Sequence, residues 1–175
     1  TNIALVGQRG SGKTRISLHL ALALKRPVLN IDSIISYEAV GKSIPDLIAE
    51  HDGDWRYFRD LEYRVLAKAV QSGETILDCG GGIVVDLDEQ GEEVFSDRKA
   101  AALTGHATVF FLNAPLQNDI AKITGADERP PLGDRSPEEI YQRRLPMYRR
   151  GAHHEIKMEK GKRKKAAKEI LEILI

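Results

Sequence analysis

Residues 3–14 read Ile3-Ala4-Leu5-Val6-Gly7-Gln8-Arg9-Gly10-Ser11-Gly12-Lys13-Thr14, four apolar residues running straight into the pattern G-x-x-x-x-G-K-[ST]. A short apolar run before the glycines predicts a buried strand. The apolar residues of Lys13–Leu24 recur at helical spacing. Strand, glycine-rich turn and helix in that order form a phosphate-binding loop. Glycines let successive backbone N–H groups turn inward around a phosphate, and the helix N-terminus adds its positive dipole end. Gly7, Gly10, Ser11, Gly12, Lys13 and Thr14 are therefore the expected nucleotide-binding residues, with Mg²⁺ as the expected metal. Lys13 should reach the β- and γ-phosphates, and the Thr14 hydroxyl should ligate Mg²⁺. Alone, the loop does not separate a kinase from a GTPase, an ATPase or a nucleotide sensor.

Outward from the loop, strands and helices alternate. Val28–Asn30, Thr75–Cys79, Thr108–Leu112 and Ile156–Met158 read as further strands. Helices are expected at Trp55–Gln71, from about Pro115 to Thr124, and at Lys164–Ile175. Two more begin at capping signals: Ser43-Ile44-Pro45-Asp46, and Ser136-Pro137-Glu138-Glu139, whose helix runs to about Arg150. Short apolar strands separated by helices predict an α/β fold of three layers, a parallel sheet covered on both faces. The sequence reads as one domain over residues 1–175. Asp86–Ser96, acidic and broken by a glycine, reads as a solvated surface loop, and Gly125–Arg135 as a mobile one.

The 175 residues carry 26 Lys and Arg against 26 Asp and Glu, a formal net charge of zero, which argues against a dedicated nucleic-acid partner. No stretch approaches the roughly 20 apolar residues of a membrane span. The apolar start is too short for a signal-peptide core, so the cytoplasm is the expected location. The single cysteine, Cys79, is read as a small buried residue. His153 and His154 lack further ligands at metal spacing and are read as surface residues.

Five more stretches carry specific chemistry: Asn30-Ile31-Asp32 after the second strand, Phe58-Arg59 on a helix, Gly80-Gly81-Gly82 after the third strand, Glu128-Arg129-Pro130-Pro131-Leu132, and Arg144-Leu145-Pro146-Met147-Tyr148. With the phosphate loop they make the chain, from Ile3 to about Ala152, resemble the shikimate kinases, P-loop enzymes of the nucleoside-monophosphate-kinase type. The resemblance implies a P-loop fold with a mostly five-stranded parallel sheet, a mobile lid over about 125–136, and transfer of the ATP γ-phosphoryl group to the 3-hydroxyl of shikimate. It assigns Asp32 to the acceptor hydroxyls, as candidate base. Arg59 and Arg144 would clamp the acceptor carboxylate, Phe58 would pack on its ring, and Gly80, Gly81 and Gly82 would let it approach the backbone. Arg129 would swing onto the transferring phosphoryl group, and Lys122 would stand where an arginine packs on adenine. A monomer is expected.

Asn30 departs from the family's pattern, which has an aspartate there that helps hold Mg²⁺ through water. Asp78, at the end of the third strand, is the candidate to take over that role, with Asn30 a weaker one. Two alternatives remain open on the sequence: a ligand-sensing domain of shikimate-kinase type without kinase activity, and a kinase for another small hydroxy acid such as gluconate.

Overall fold

The computed structural model describes residues 1–115 and 135–175. Its sheet is built from β1 (Asn2–Val6), β2 (Val28–Asn30), β3 (Ile76–Asp78), β6 (Ala107–Asn113) and β7 (His154–Lys157). These run parallel in the order β2-β3-β1-β6-β7. The strands are apolar on both faces because both faces are covered. Ala4, Val6, Leu77, Val109 and Phe111 point into one core, and Ile3, Leu5, Ile76, Phe110 and Leu112 into the other. That period-two alternation is what a continuous apolar run becomes in a doubly covered parallel sheet.

On one side lie α1 (Lys13–Leu24) and the C-terminal helix α7 (Arg163–Leu174), which contributes Ala166, Ala167 and Ile170 to the core. On the other lie α2 (Ile31–Glu38), α3 (Ile44–Ala49), α4 (Arg56–Ala69), α5 (Asp97–His106) and α6 (Pro137–Arg150). The expected capping signals hold. The Ser43 and Ser136 side chains accept from the backbone N–H of Asp46 and Glu139, and each helix carries a proline in its first turn.

One expectation is corrected. Asp86–Ser96 is not a solvated loop: β4 (Val85–Leu87) and β5 (Glu93–Phe95) pair antiparallel, so most of the stretch is a hairpin. Its tip and the outward-facing Val94 are exposed. The turn is closed by Asp88, whose Oδ1 accepts from the N–H groups of Gln90 and Glu92, with Gly91 at φ +79. Asn30 is the N-cap of α2. Its Oδ1 accepts from Ser33 N–H at 2.9 Å, and Asp32 sits inside the first turn. The helix expected from Pro115, Lys122, Arg129 and nearly all of the lid lie outside the described residues.

Candidate active site

The phosphate loop joins β1 to α1 at the carboxyl end of the sheet, where open α/β folds bind ligands. Gly10 and Gly12 take left-handed backbone angles, φ +75 and +97, and Gly12 is the N-cap of α1. Gly7 is required for another reason: a Cβ there would come within 2.7 Å of the Leu112 carbonyl oxygen on β6. Lys13 Nζ donates to the carbonyls of Gly7 and Gln8, both at 2.7 Å, which folds the lysine over its own loop. Beside the loop, a pocket is lined by Gly10, Ser11 and Gly12 on one side and Met158, Lys160 and Arg163 on the other. Met158 and Lys160 lie in the turn between β7 and α7 and Arg163 opens α7, a wall that sequence reading did not anticipate.

Thr14, Asp78 and Asn30 meet at the ends of α1, β3 and β2. The Thr14 hydroxyl donates to Asp78 Oδ2 at 2.8 Å, and Asn30 Nδ2 donates to the same oxygen at 3.3 Å. Burial pushes the Asp78 carboxyl above its ordinary value. The Thr14 hydrogen bond and the Lys13 charge pull it back, and the Asp32 charge adds to the rise. A hydroxyl and a carboxylate side by side next to a phosphate loop are a hard-oxygen set that suits Mg²⁺. Asn30 therefore caps α2 with its oxygen and orients Asp78 with its nitrogen. The adjacent Cys79 is buried, and burial with the Asp78 charge pushes its thiol up, consistent with a packing residue.

Beyond β3 the three glycines each make room for a different site residue. A Cβ on Gly80 would lie 2.7 Å from Asp32 Oδ1. One on Gly81 would lie 3.3 Å from the Arg9 nitrogen and 3.8 Å from Arg144 Nη1. One on Gly82 would overlap the Arg59 guanidinium. Asp32, Arg59 and Arg144 come from α2, α4 and α6, so this tripeptide is where three helices deliver their polar side chains.

Both arginines are buried and already hold carboxylates. Arg59 Nη1 donates to Glu62 Oε1 at 3.1 Å and to the Gly82 carbonyl at 3.2 Å. Its guanidinium lies 5.2 Å from the Trp55 ring centroid and 5.3 Å from that of Phe58. Glu62 Oε1 also accepts from Lys99 Nζ at 2.6 Å, and that fully buried ammonium spends its other donors on the Gly82 and Val85 carbonyls. Arg144 donates Nε and Nη2 to the two oxygens of Glu93, at 3.0 and 2.5 Å. Tyr148, one turn along α6 from Arg144, donates to the Gly81 carbonyl at 2.5 Å. Phe58 is buried in the core, edge-on to Trp55 at 5.6 Å.

The structure thus gathers Thr14, Asn30, Asp32, Arg59, Asp78, the three glycines and Arg144 at one end of the sheet. Sequence reading missed Glu62, Lys99 and Glu93, and it quoted Tyr148 in a motif without giving it a role. Glu62 was within reach, being three residues past Arg59 on one helix face. Lys99 was not, since lysine is almost never fully buried. Among the described residues no helix is long and apolar enough to cross a membrane, and no three metal-ligating side chains cluster.

Known proteins resemble this chain over most of its length. The family model described as shikimate kinase matches residues 9–175. A shikimate kinase of Leptospira borgpetersenii serovar Hardjo-bovis is 47% identical over 85% of this chain and 83% of its own length. One of Leptospira biflexa serovar Patoc is 38% identical over 98% of this chain and 94% of its own. The solved shikimate kinase from Acinetobacter baumannii in complex with shikimate superposes with a TM-score of 0.81 at 28% identity, covering 99% of this chain and 92% of that one. With the phosphate loop, the triple glycine and the converging Asp32, Arg59 and Arg144 in place, the chain belongs to the shikimate kinase family.

Proposed function

We propose that this protein transfers the γ-phosphoryl group of ATP to the 3-hydroxyl of shikimate. The observation that carries the reading is the convergence on Gly80–Gly82 of a carboxylate and two buried arginines, directly beyond the phosphate loop. A small hydroxylated monoacid needs that set: cations for its carboxylate and an oxygen acceptor for its hydroxyl. Asp32 orients the acceptor hydroxyl and receives its proton late in transfer. Arg59 and Arg144 grip the acceptor carboxylate away from the chemistry, converting remote binding energy into positioning. Lys13 leaves its loop carbonyls to neutralise β- and γ-phosphate oxygens, and the walls beyond Gly12 receive the base. Arg129 is assigned to the moving phosphoryl group and Lys122 to the adenine.

Mg²⁺ would be held by the Thr14 hydroxyl and, through water, by Asp78 beside Asn30, and when bound it supplies charge neutralisation on the phosphates. We assign Phe58 to the wall behind Arg59. The protein acts as a monomer in the cytoplasm, without a nucleic-acid or membrane partner.

The test is coupled ADP release with shikimate, quinate, gluconate or no acceptor. Mg²⁺-dependent turnover with shikimate alone is expected. Activity with gluconate only would overturn the acceptor. Tight ATP binding without turnover on any acceptor would point to a sensor.

A further inference from the structure

The β4–β5 hairpin is braced from several directions. Its Asp86 carboxylate takes Arg98 Nε and the Ser96 hydroxyl at 2.9 and 2.6 Å. Arg56 Nη2 donates to the Asp88 and Glu89 carbonyls at its tip. Glu92 pairs with Arg135 and Arg143 at 2.5 and 3.3 Å. These contacts leave the hairpin little freedom, and one residue on it faces inward. The side chain of Glu93 is 8% exposed and that of Arg144 5%.

We propose that Glu93 is a positioning residue for the acceptor: from the hairpin it takes the Nε–Nη2 edge of Arg144 and turns Nη1 toward Gly81 and the acceptor site. The inference rests on the function proposed above. A guanidinium carries five N–H groups in a rigid plane, so fixing one edge fixes the direction of the others. Glu93 holds that edge through two bonds, and Nη1 lies 3.8 Å from where a Gly81 Cβ would stand. The bracing of the hairpin is what lets a carboxylate aim a guanidinium rather than follow it.

Charge points the same way. Leaving aside Lys13 and Asp78 at the phosphate loop and the half-buried Asp32, the buried set Arg59, Lys99 and Arg144 against Glu62 and Glu93 is three positive to two negative. Its excess of one positive charge matches a single carboxylate ligand. Without Glu93 the excess would be two, and Arg144 would be free to turn to other partners. Neutralising Arg144 and aiming it are thus one act, and the side chain responsible stands outside the motifs that mark the site.

The experiment compares wild type, Glu93→Gln, Glu93→Asp and the hairpin control Glu89→Gln, whose exposed side chain makes none of these braces, each measured for KM of shikimate, KM of ATP, kcat and melting temperature. Glu93→Gln and Glu93→Asp are expected to raise the shikimate KM about tenfold or more, with the ATP KM within about twofold. Glu89→Gln should leave both unchanged. In an Arg144→Met background, Glu93→Gln should add nothing to the shikimate KM, a non-additivity that mere bracing of the fold would not produce. An unchanged or lower shikimate KM in the Glu93 variants overturns the inference. So does a loss that moves both KM values in step with the melting temperature. If Glu93→Gln does not fold, Glu93→Asp decides, since it keeps the charge and shortens only its reach. Turnover by wild type with unaffected Glu93 variants sinks the inference alone, whereas no wild-type turnover with shikimate sinks the proposed function first.

Discussion

Asp78 illustrates how a single residue can be unfavourable for the fold and useful to the site. Its carboxyl is 4% exposed, and burial lifts it above the ordinary 3.8 despite the Thr14 bond and the Lys13 charge. A carboxyl raised in the native state binds its proton more tightly there than in the unfolded chain. Its stabilising contribution is present below 3.8 and is lost as pH rises through the raised value. At neutral pH, without metal, the charged side chain therefore costs stability. Asp78→Asn should raise the melting temperature of the metal-free protein by a few degrees, because removing a buried charge at a functional site commonly stabilises. The same variant should lose about tenfold in Mg²⁺-dependent ATP affinity. Thermal melts with and without Mg²⁺ and ATP read both, and unchanged values in both would remove Asp78 from the metal site. Gly82 makes the complementary case, since the demand on it is spatial. A methyl there would meet the Arg59 guanidinium, so Gly82→Ala should weaken shikimate binding about tenfold while ATP binding stays near wild type. Calorimetric titration with each ligand separately distinguishes this from general damage.

The hairpin and α5 form an element whose value lies in the charges it buries. Lys99 donates to Glu62 and to two carbonyls, so Lys99→Met would strip a donor from three buried acceptors at once. The expected cost is about 3 kcal/mol in urea unfolding, in the range for breaking buried pairs. A cost below about 1 kcal/mol would show that the surroundings relax around the change. Glu93 gives this element its acid sensitivity. Burial would raise its carboxyl, but the Arg144 bonds and charge, with Arg59 and Arg143, more than reverse that and hold it below the ordinary 4.5. Its contribution is therefore complete above 4.5 and lost as pH falls through the depressed native value. This layer explains the limits of sequence reading. The strands, the Ser43 and Ser136 caps and the phosphate loop were legible because each rests on local spacing. The hairpin could have been seen in Val85-Asp86-Leu87 and Glu93-Val94-Phe95 flanking a turn with Gly91, but its acidity argued for solvent. Whether a glutamate faces water or an arginine depends on a helix some fifty residues later, and local pattern carries no such information.

At the level of the whole molecule, the sheet keeps two binding tasks apart while placing them at one edge. Nucleotide groups gather on the side of the phosphate loop and the turn after β7, and acceptor groups gather around Gly80–Gly82 beneath α2, α4 and α6. The central pairing of β1 with β3 and β6 holds the two together. Lys13 belongs to the first set: its ammonium donates to the carbonyls of Gly7 and Gln8 in its own loop. Such separation predicts that ligand stabilisation divides by site. Saturation at about 100 times Kd adds about 2.7 kcal/mol, equivalent to roughly 5–10 °C in melting temperature for a chain of this size. Wild type should show such a rise with Mg²⁺ and ATP, and again with shikimate alone. Lys13→Met should abolish most of the nucleotide rise, because the β- and γ-phosphates lose their cation, yet keep the shikimate rise because Asp32, Arg59 and Arg144 are untouched. Arg144→Met should do the reverse. Loss of both responses in Lys13→Met, measured at the same ligand concentrations, would mean that the acceptor groups are assembled only when the phosphate loop is filled, and the division of the site argued from the glycines would fail.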